Sequence, residues 1–321
     1  MNRGRGYLFI LGAAFFWGIS ATVAKYLFTR DFDPLLVVQM RTTISCLILV
    51  PAFLAFRPRL MRVSPRDLPD LALLGIVGVA GSNFTYYFAI RETNVATAIL
   101  LQYLAPVLVL GWAAMTREEK FTPLKAAAAA ASLTGCFLAI AGDDLGVLRL
   151  SGPGLAAGLG AAFCWAFTNI WLRRLVKKYS VWTCLAWSFV FASLFWSCIN
   201  PPWAIAAAGY GADTWSVLLL FAVISVLIPH SLYYNGVGRL SASRAIITAT
   251  VEPILAIATA AIFVGERPGP ARIVGAVMVL GAVALLQLRH EAEITGVPVA
   301  AQASQGSIAD PPPPEPPGHA P

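Results

Sequence analysis

The chain has 321 residues, of which 58% are hydrophobic and only 12% charged. A soluble domain carries roughly a quarter charged residues, so this chain cannot cover a water-facing surface, and lipid must be the solvent for most of it. The net charge of +7 does not point to nucleic acid, because the basic residues sit in short runs between apolar stretches, the placement that orients a membrane protein.

A spanning helix needs about 20 mostly apolar residues. In chain order that test predicts ten: 7–28, 34–56, 68–90, 95–116, 123–141, 152–172, 180–200, 214–236, 243–264 and 269–288. Asp33-Pro34 and Gly152-Pro153 are turn or helix-start signals, and Arg57-Pro58-Arg59 closes the second helix. The first apolar run is longer than a secretory h-region of roughly 7–15 residues, so it is expected to be retained. Residues 291–321 lose apolar content and end in a proline run after Asp310, which predicts a disordered, extended tail. Cys46, Cys136, Cys164, Cys184 and Cys198 all lie in apolar stretches without a C-x-x-C pair, so they read as small buried hydrophobes, with neither metal nor disulfide expected.

The sequence repeats itself. Residues 83–125 recur at 230–272, a shift of 147 that lays Tyr86-Tyr87 on Tyr233-Tyr234, Pro106 on Pro253, Glu119 on Glu266 and Pro123 on Pro270. Upstream, Gly12-Ala13-Ala14-Phe15-Phe16-Trp17 recurs as Gly160-Ala161-Ala162-Phe163-Cys164-Trp165, a shift of 148. Matching Pro, Glu and paired Tyr in one register is an internal duplication rather than a chance match of apolar runs. The halves are 1–141 and 152–290, followed by the 291–321 tail.

Lysine and arginine set the orientation. With the N-terminus inside, the cytoplasmic face holds Arg3, Arg5, Arg57, Arg59, Arg62, Arg66, Arg117, Lys120, Lys125, Arg173, Arg174, Lys177, Lys178, Arg239, Arg244 and Arg289. The outer face holds only Lys25, Arg30, Arg91, Arg149, Arg267 and Arg272, so both termini are expected in the cytoplasm. Each half has an odd number of spans, and the second must therefore enter from the opposite face. The fold class expected is an all-α integral membrane protein of ten helices in two inverted five-helix repeats, an architecture of secondary transporters with a site near the midplane.

The doubled G-A-A-F-x-W opening, Arg41, Pro106 and Pro253, and the loops after them (Glu119-Lys120 with Pro123; Glu266-Arg267 with Pro270) resemble EamA-type members of the drug/metabolite transporter superfamily. The resemblance covers about 280 residues and leaves out the tail. It implies ten helices in two inverted repeats around a central cavity, and the movement of amino acids, related metabolites or drugs, often outward. One departure is that Phe189 stands where the repeat register would place a mate for Arg41.

Polar groups in a spanning helix are costly unless they face the bundle interior. Asn83, Tyr86 and Tyr87 share one helix face, and His230, Tyr233 and Tyr234 repeat it. Such faces suit the walls of a cavity for a small amphipathic solute, or equally interfacial tyrosines and inter-helix hydrogen bonds. Trp17, Trp165 and Asn169 form a second pair of faces, for cavity lining or core packing. Gln102 lies one turn before Pro106, and Thr248 one turn before Glu252 and Pro253; each proline frees a carbonyl and can act as a hinge or a static kink. Arg41 lies near enough to the outer face to snorkel, which favours an anchoring role over substrate contact. Glu252 is deeper and shorter, so it is the candidate to carry a coupling proton or to meet an ammonium group, against the alternative of a structural ion pair. Glu119 and Glu266 read as architectural helix-end charges.

The function expected is a secondary transporter of a small metabolite, an amino acid or relative, working as an exporter in the cytoplasmic membrane. The alternatives are a lipid-linked precursor flippase or an intramembrane enzyme. No paired intramembrane carboxylates, metal cluster or nucleotide fingerprint is present, so no catalytic residue, metal or cofactor is assigned. The partners expected are the small-molecule substrate, the bilayer and protons as coupling ion.

Overall fold

A computed structural model of the chain describes residues 3–28, 34–116, 122–142, 144, 146, 148–149, 151–207, 209–264 and 269–295. Among these residues there is no strand, and ten long helical stretches follow one another. They are α1 (Arg3–Phe28), α2 (Pro34–Phe56), α3 (68–92), α4 (95–116), α5 (Pro123–Ala141), α6 (Gly152–Leu175), α7 (Val181–Ile199), α8 (Ala212–Val237), α9 (242–264) and α10 (Pro270–Thr295). Stretches in α2 to α9 are long and apolar enough to cross a membrane by length and composition, and α10 contributes a shorter apolar segment.

The helix starts have local causes. The side chains of Asn94, Thr122, Ser151, Ser180 and Ser241 each accept from the backbone N–H three residues on, which satisfies a donor the helix cannot. Gly142, at φ 62°, ends α5 in a conformation that favours glycine. Two segments differ from the sequence reading. A short helix at Pro202–Ala207 occupies the expected loop before α8. The last helix continues to Thr295, into the stretch expected to be tail, and 296–321 lies outside the described residues.

Large apolar side chains such as Leu47, Met115, Leu220, Ile262 and Val277 point outward, while Gln39, Thr42, Ser45, Thr168, Asn169, Ser188 and Thr248 are buried inside. That distribution is what a lipid solvent selects. Three cysteines, Cys136, Cys164 and Cys184, are buried, but Cys198 is exposed, contrary to its reading as a buried hydrophobe, because it lies on the outward side of α7 near the helix end.

The most extensive helix pairings all join one half of the chain to the other. They are also reciprocal. The first helix of one half, α1, packs on α8 and α9, and its counterpart α6 packs on α3 and α4. The second helices, α2 and α7, pack on each other, as do the fifth, α5 and α10. At that last seam a Cβ on Gly275 would lie 2.5 Å from the Ala139 nitrogen and the Gly135 oxygen, so only glycine lets the backbones approach this closely.

Irregularities recur in register as well. The third helix of each half widens into π-helix, at Leu74–Gly81 in α3 and Val223–Leu227 in α8. The fourth helix of each half breaks: α4 stops at Gln102 and resumes at Ala105, and α9 stops at Ala249 and resumes at Glu252. Both breaks are bridged by tighter turns of the same pattern: Leu104 and Val107 N–H donate to Leu101 and Leu104 oxygens, as Val251 and Ile254 do to Thr248 and Val251. Pro106 and Pro253 follow the breaks and supply no N–H to close them.

Candidate functional site

The repeat-related tryptophans meet. Trp17 of α1 and Trp165 of α6 have ring centroids 5.8 Å apart in an edge-to-face arrangement. Tyr233 of α8 completes the group, 5.2 Å from Trp17 and stacked on Trp165 at 5.0 Å, and His230 lies 5.5 Å from Trp17. These are favourable geometries for aromatic quadrupoles. The Tyr233 hydroxyl donates to Asn169 Oδ1 at 2.6 Å, and Asn169 Nδ2 donates to the Trp165 oxygen at 2.9 Å. Both Tyr233 and Asn169 are fully buried, so this pair fixes the orientation of the cluster.

The π-helical turns place the next polar groups. Side chains just beyond each widened turn fold back onto its carbonyls four residues earlier. Asn83 Nδ2 donates to the Val79 oxygen at 2.7 Å, and His230 Nδ1 lies 3.0 Å from the Val226 oxygen. That leaves Asn83 Oδ1 to accept from Arg41 Nη2 at 2.8 Å. The Arg41 guanidinium lies 5.2 Å from the Tyr87 ring centroid and 6.0 Å from that of Phe221. It therefore turns into the bundle, which corrects the expectation that it snorkels to the outer face. Asn83 and Tyr87, one turn apart on α3, make a cradle that the sequence of α2 alone does not reveal.

Glu252 is the first residue of the second part of α9 and is half-buried. The positive end of that helix segment favours a carboxylate there. Tyr103, in the equivalent break of α4, turns its hydroxyl toward the Glu252 carboxylate without closing a hydrogen bond. Tyr86 and Tyr233 also lie within electrostatic reach of Glu252, and Tyr86 within reach of Arg41 too. Gly18 lets α1 press on this segment: a Cβ there would meet the Ala256 nitrogen at 3.0 Å and the Glu252 oxygen at 3.3 Å. The repeat register places Ala105 opposite Glu252 and Phe189 opposite Arg41, so each half contributes one charge that the other lacks.

The other candidates divide. Tyr86 stands edge-on to Tyr87 at 5.3 Å and belongs with the Arg41 cradle. Gln102 donates to Ser82 Oγ at 3.3 Å, bridging α4 to α3. Thr248 is buried and donates back to the Arg244 oxygen at 2.7 Å, and Tyr234 donates to Ser188 Oγ at 3.2 Å inside the core. These two are tied into packing. Pro106 and Pro253 are buried behind the helix breaks. Glu119 and Glu266 lie outside the described residues. Tyr103 and Phe221 were missed by sequence reasoning; the signal for Tyr103 was its place three residues before Pro106, in a register shared with Thr250 and Pro253.

A cavity of about 140 Å³ opens elsewhere, lined by Trp112 of α4, Arg173, Arg174 and Lys177 at the end of α6, and Ser241. None of the candidate residues lines it; they close on one another instead. Among the described residues no three His, Cys, Asp or Glu side chains converge as a metal site.

The EamA-like transporter family model matches residues 4–141 and 152–288. The uncharacterized inner membrane transporter YicL of Salmonella typhimurium is 27% identical over 290 residues, covering 88% of this chain and 95% of that protein. The threonine/homoserine exporter RhtA of Escherichia coli K12 is 28% identical over 279 residues, covering 85% and 89%. A crystal structure of a protein with 20% identity superposes with a TM-score of 0.74 over 89% of this chain and 98% of that one, and shows the shared fold. With both halves matched by one model, this chain belongs to the EamA-like transporter family: it is a multi-pass membrane transporter of small molecules, not an enzyme.

Proposed function

We propose that the protein exports an amino acid or close relative across the cytoplasmic membrane by alternating access. The observation that carries this reading is the site between the halves, where a largely buried aromatic cluster (Trp17, Trp165, Tyr233, His230) lies within electrostatic reach of one acidic and one basic side chain from opposite repeats, Glu252 and Arg41. Aromatic faces supply area for an apolar side chain, and the charges supply orientation. The likeness to a threonine/homoserine exporter supports the substrate class and the outward direction. Glu252 is the residue that meets the substrate ammonium group or carries a coupling proton.

The two halves, 1–141 and 152–290, act as inverted repeats that rock about the shared site, with both termini in the cytoplasm. Their reciprocal packing and register-matched helix breaks support the repeat relation, and the odd number of helices in each half supports the inversion.

The reading is tested in proteoliposomes loaded with radiolabelled L-threonine, L-homoserine and the remaining common amino acids, with and without a proton gradient. We expect saturable flux of a subset. Glu252→Gln should keep normal thermal stability, lose at least about tenfold of that flux and lose its response to the gradient. A stable Glu252→Gln protein with wild-type, gradient-sensitive flux would remove Glu252 from the mechanism. Flux of a lipid-linked precursor and of no amino acid would replace the export reading with a flippase.

A further inference from the structure

Arg41 is a charged group held inside a membrane bundle with most of its hydrogen-bonding capacity unused. A guanidinium presents five N–H donors in a planar fork. Here Nη2 donates to Asn83 Oδ1 at 2.8 Å, while Nε is buried with no partner. Among the described residues no carboxylate pairs with it. Burying an ionised group under these conditions is costly unless an anion completes its shell. Tyr87 and Phe221 lie against the guanidinium at 5.2 and 6.0 Å, and ring quadrupoles offset only part of that cost.

The geometry also shows a site built to keep the fork in place. The Asn83 amide is fixed at its other end by the Val79 oxygen, a carbonyl within the π-helical turn of α3 that also accepts from the Ser82 N–H, so Asn83 presents Oδ1 to Arg41 and not the amide nitrogen. Tyr86, next to Tyr87 on the same helix, lies within electrostatic reach of both Arg41 and Glu252, so one aromatic pair neighbours both charges. Nothing in the repeat requires a cation at this place, since its counterpart is the fully buried Phe189.

We infer that Arg41, positioned by Asn83, binds the α-carboxylate of the transported solute. The inference rests on the amino-acid reading above and adds its second pole: the ammonium group meets Glu252 and the carboxylate meets Arg41, with the side chain against the aromatic cluster. The substrate class is then a zwitterion with both charges on one carbon. Amines lacking the carboxylate are selected against by a guanidinium left unpaired, a large discrimination because the site's own polar group goes unsatisfied.

The test compares L-threonine and L-homoserine with L-threoninamide and L-homoserine amide, which keep the ammonium group and lose the carboxylate. Affinities are measured on purified full-length protein by isothermal titration and by competition in the flux assay. Wild type should bind the acids about 10- to 100-fold more tightly than the amides, the range expected for hydrogen bonds to a charged group. Arg41→Gln should lose that factor for the acids and leave amide affinity within about twofold, so the preference collapses. Arg41→Lys, which keeps the charge but not the fork, should recover only part of it. A merely structural Arg41 would change stability and leave the acid-to-amide ratio untouched.

A folded Arg41→Gln protein with an unchanged ratio overturns the inference while leaving the export reading intact. If Arg41→Gln does not fold, wild type decides: acids and amides bound equally well overturn it. Wild type that binds neither acid nor amide overturns the amino-acid reading, and this inference with it.

Discussion

At the scale of single residues, the buried polar groups sort by whether their hydrogen bonds are spent. Asn169 uses both ends of its amide, on Tyr233 and on the Trp165 oxygen, and Tyr234 is bonded to Ser188. Such closed networks hold shape. Tyr233→Phe should leave Asn169 Oδ1 unsatisfied and lower stability by about 1–3 kcal/mol, seen as a lower unfolding midpoint in detergent, with the acid-to-amide preference intact. Arg41 and Glu252 behave oppositely: each has capacity left over, at the Arg41 Nε and beside the unclosed Tyr103 hydroxyl. Their substitutions should change selectivity and flux more than stability. Asn83→Leu belongs to the second group, because it frees the Arg41 fork; we expect weaker acid binding in equilibrium titration with little loss for the amide.

At the scale of elements, backbone irregularity marks the third and fourth helices of each half, and close approach marks the fifth. The third and fourth helices of each half carry π-helical widening or a break, and the candidates Asn83, His230, Tyr103 and Glu252 lie in or beside those places. The fifth helices instead pack uniformly through Gly135 and Gly275. Gly275→Ala would set a Cβ 2.5 Å from two backbone atoms that cannot move aside, so it should destabilise the protein by about 1–3 kcal/mol. Gly281, on the same helix, has open space where a Cβ would stand, with no atom within 4 Å. Gly281→Ala should therefore be neutral or stabilise by up to about 1 kcal/mol through helix propensity. Unfolding midpoints of the two variants, compared in one detergent, check both signs.

At the scale of the molecule, the halves interlock so that neither has a core of its own; their strongest pairings cross from one to the other. The ends of the bundle are tied by contacts between distant loops. Lys178 Nζ lies 2.6 Å from Asp67 Oδ2, and Tyr179 accepts from the Ser64 N–H at 3.1 Å and donates to the same carboxylate. The Asp67 carboxylate holds the Lys178 ammonium above the usual lysine range. This places the 57–67 segment and the turn after α6 at one face, the face that the lysine and arginine distribution assigns to the cytoplasm. In a variant without the five native cysteines, an impermeant thiol reagent applied to intact cells should label a cysteine at Asp144 and not one at Lys178. The reverse pattern would invert the orientation.

Hydropathy and repetition, read along the chain, determined the ten helices, the duplication and the family, because lipid forces a span to be continuous and apolar and a duplication preserves register. The same register pointed to Trp17, Trp165 and Tyr233 as site candidates, and membrane depth pointed to Glu252, since polar and aromatic groups there must face the interior. The direction of Arg41 was legible only in three dimensions. Its distance from the helix end allowed snorkelling, and what turned it inward is an Asn83 oxygen on another helix, presented because the Val79 oxygen holds the amide nitrogen. Tyr234 and Thr248 carry the same sequence signals as their neighbours, yet packing partners consumed them. Periodicity reports which face of a helix is polar; only the tertiary structure decides which of those polar groups are already satisfied and which still have a bond to make.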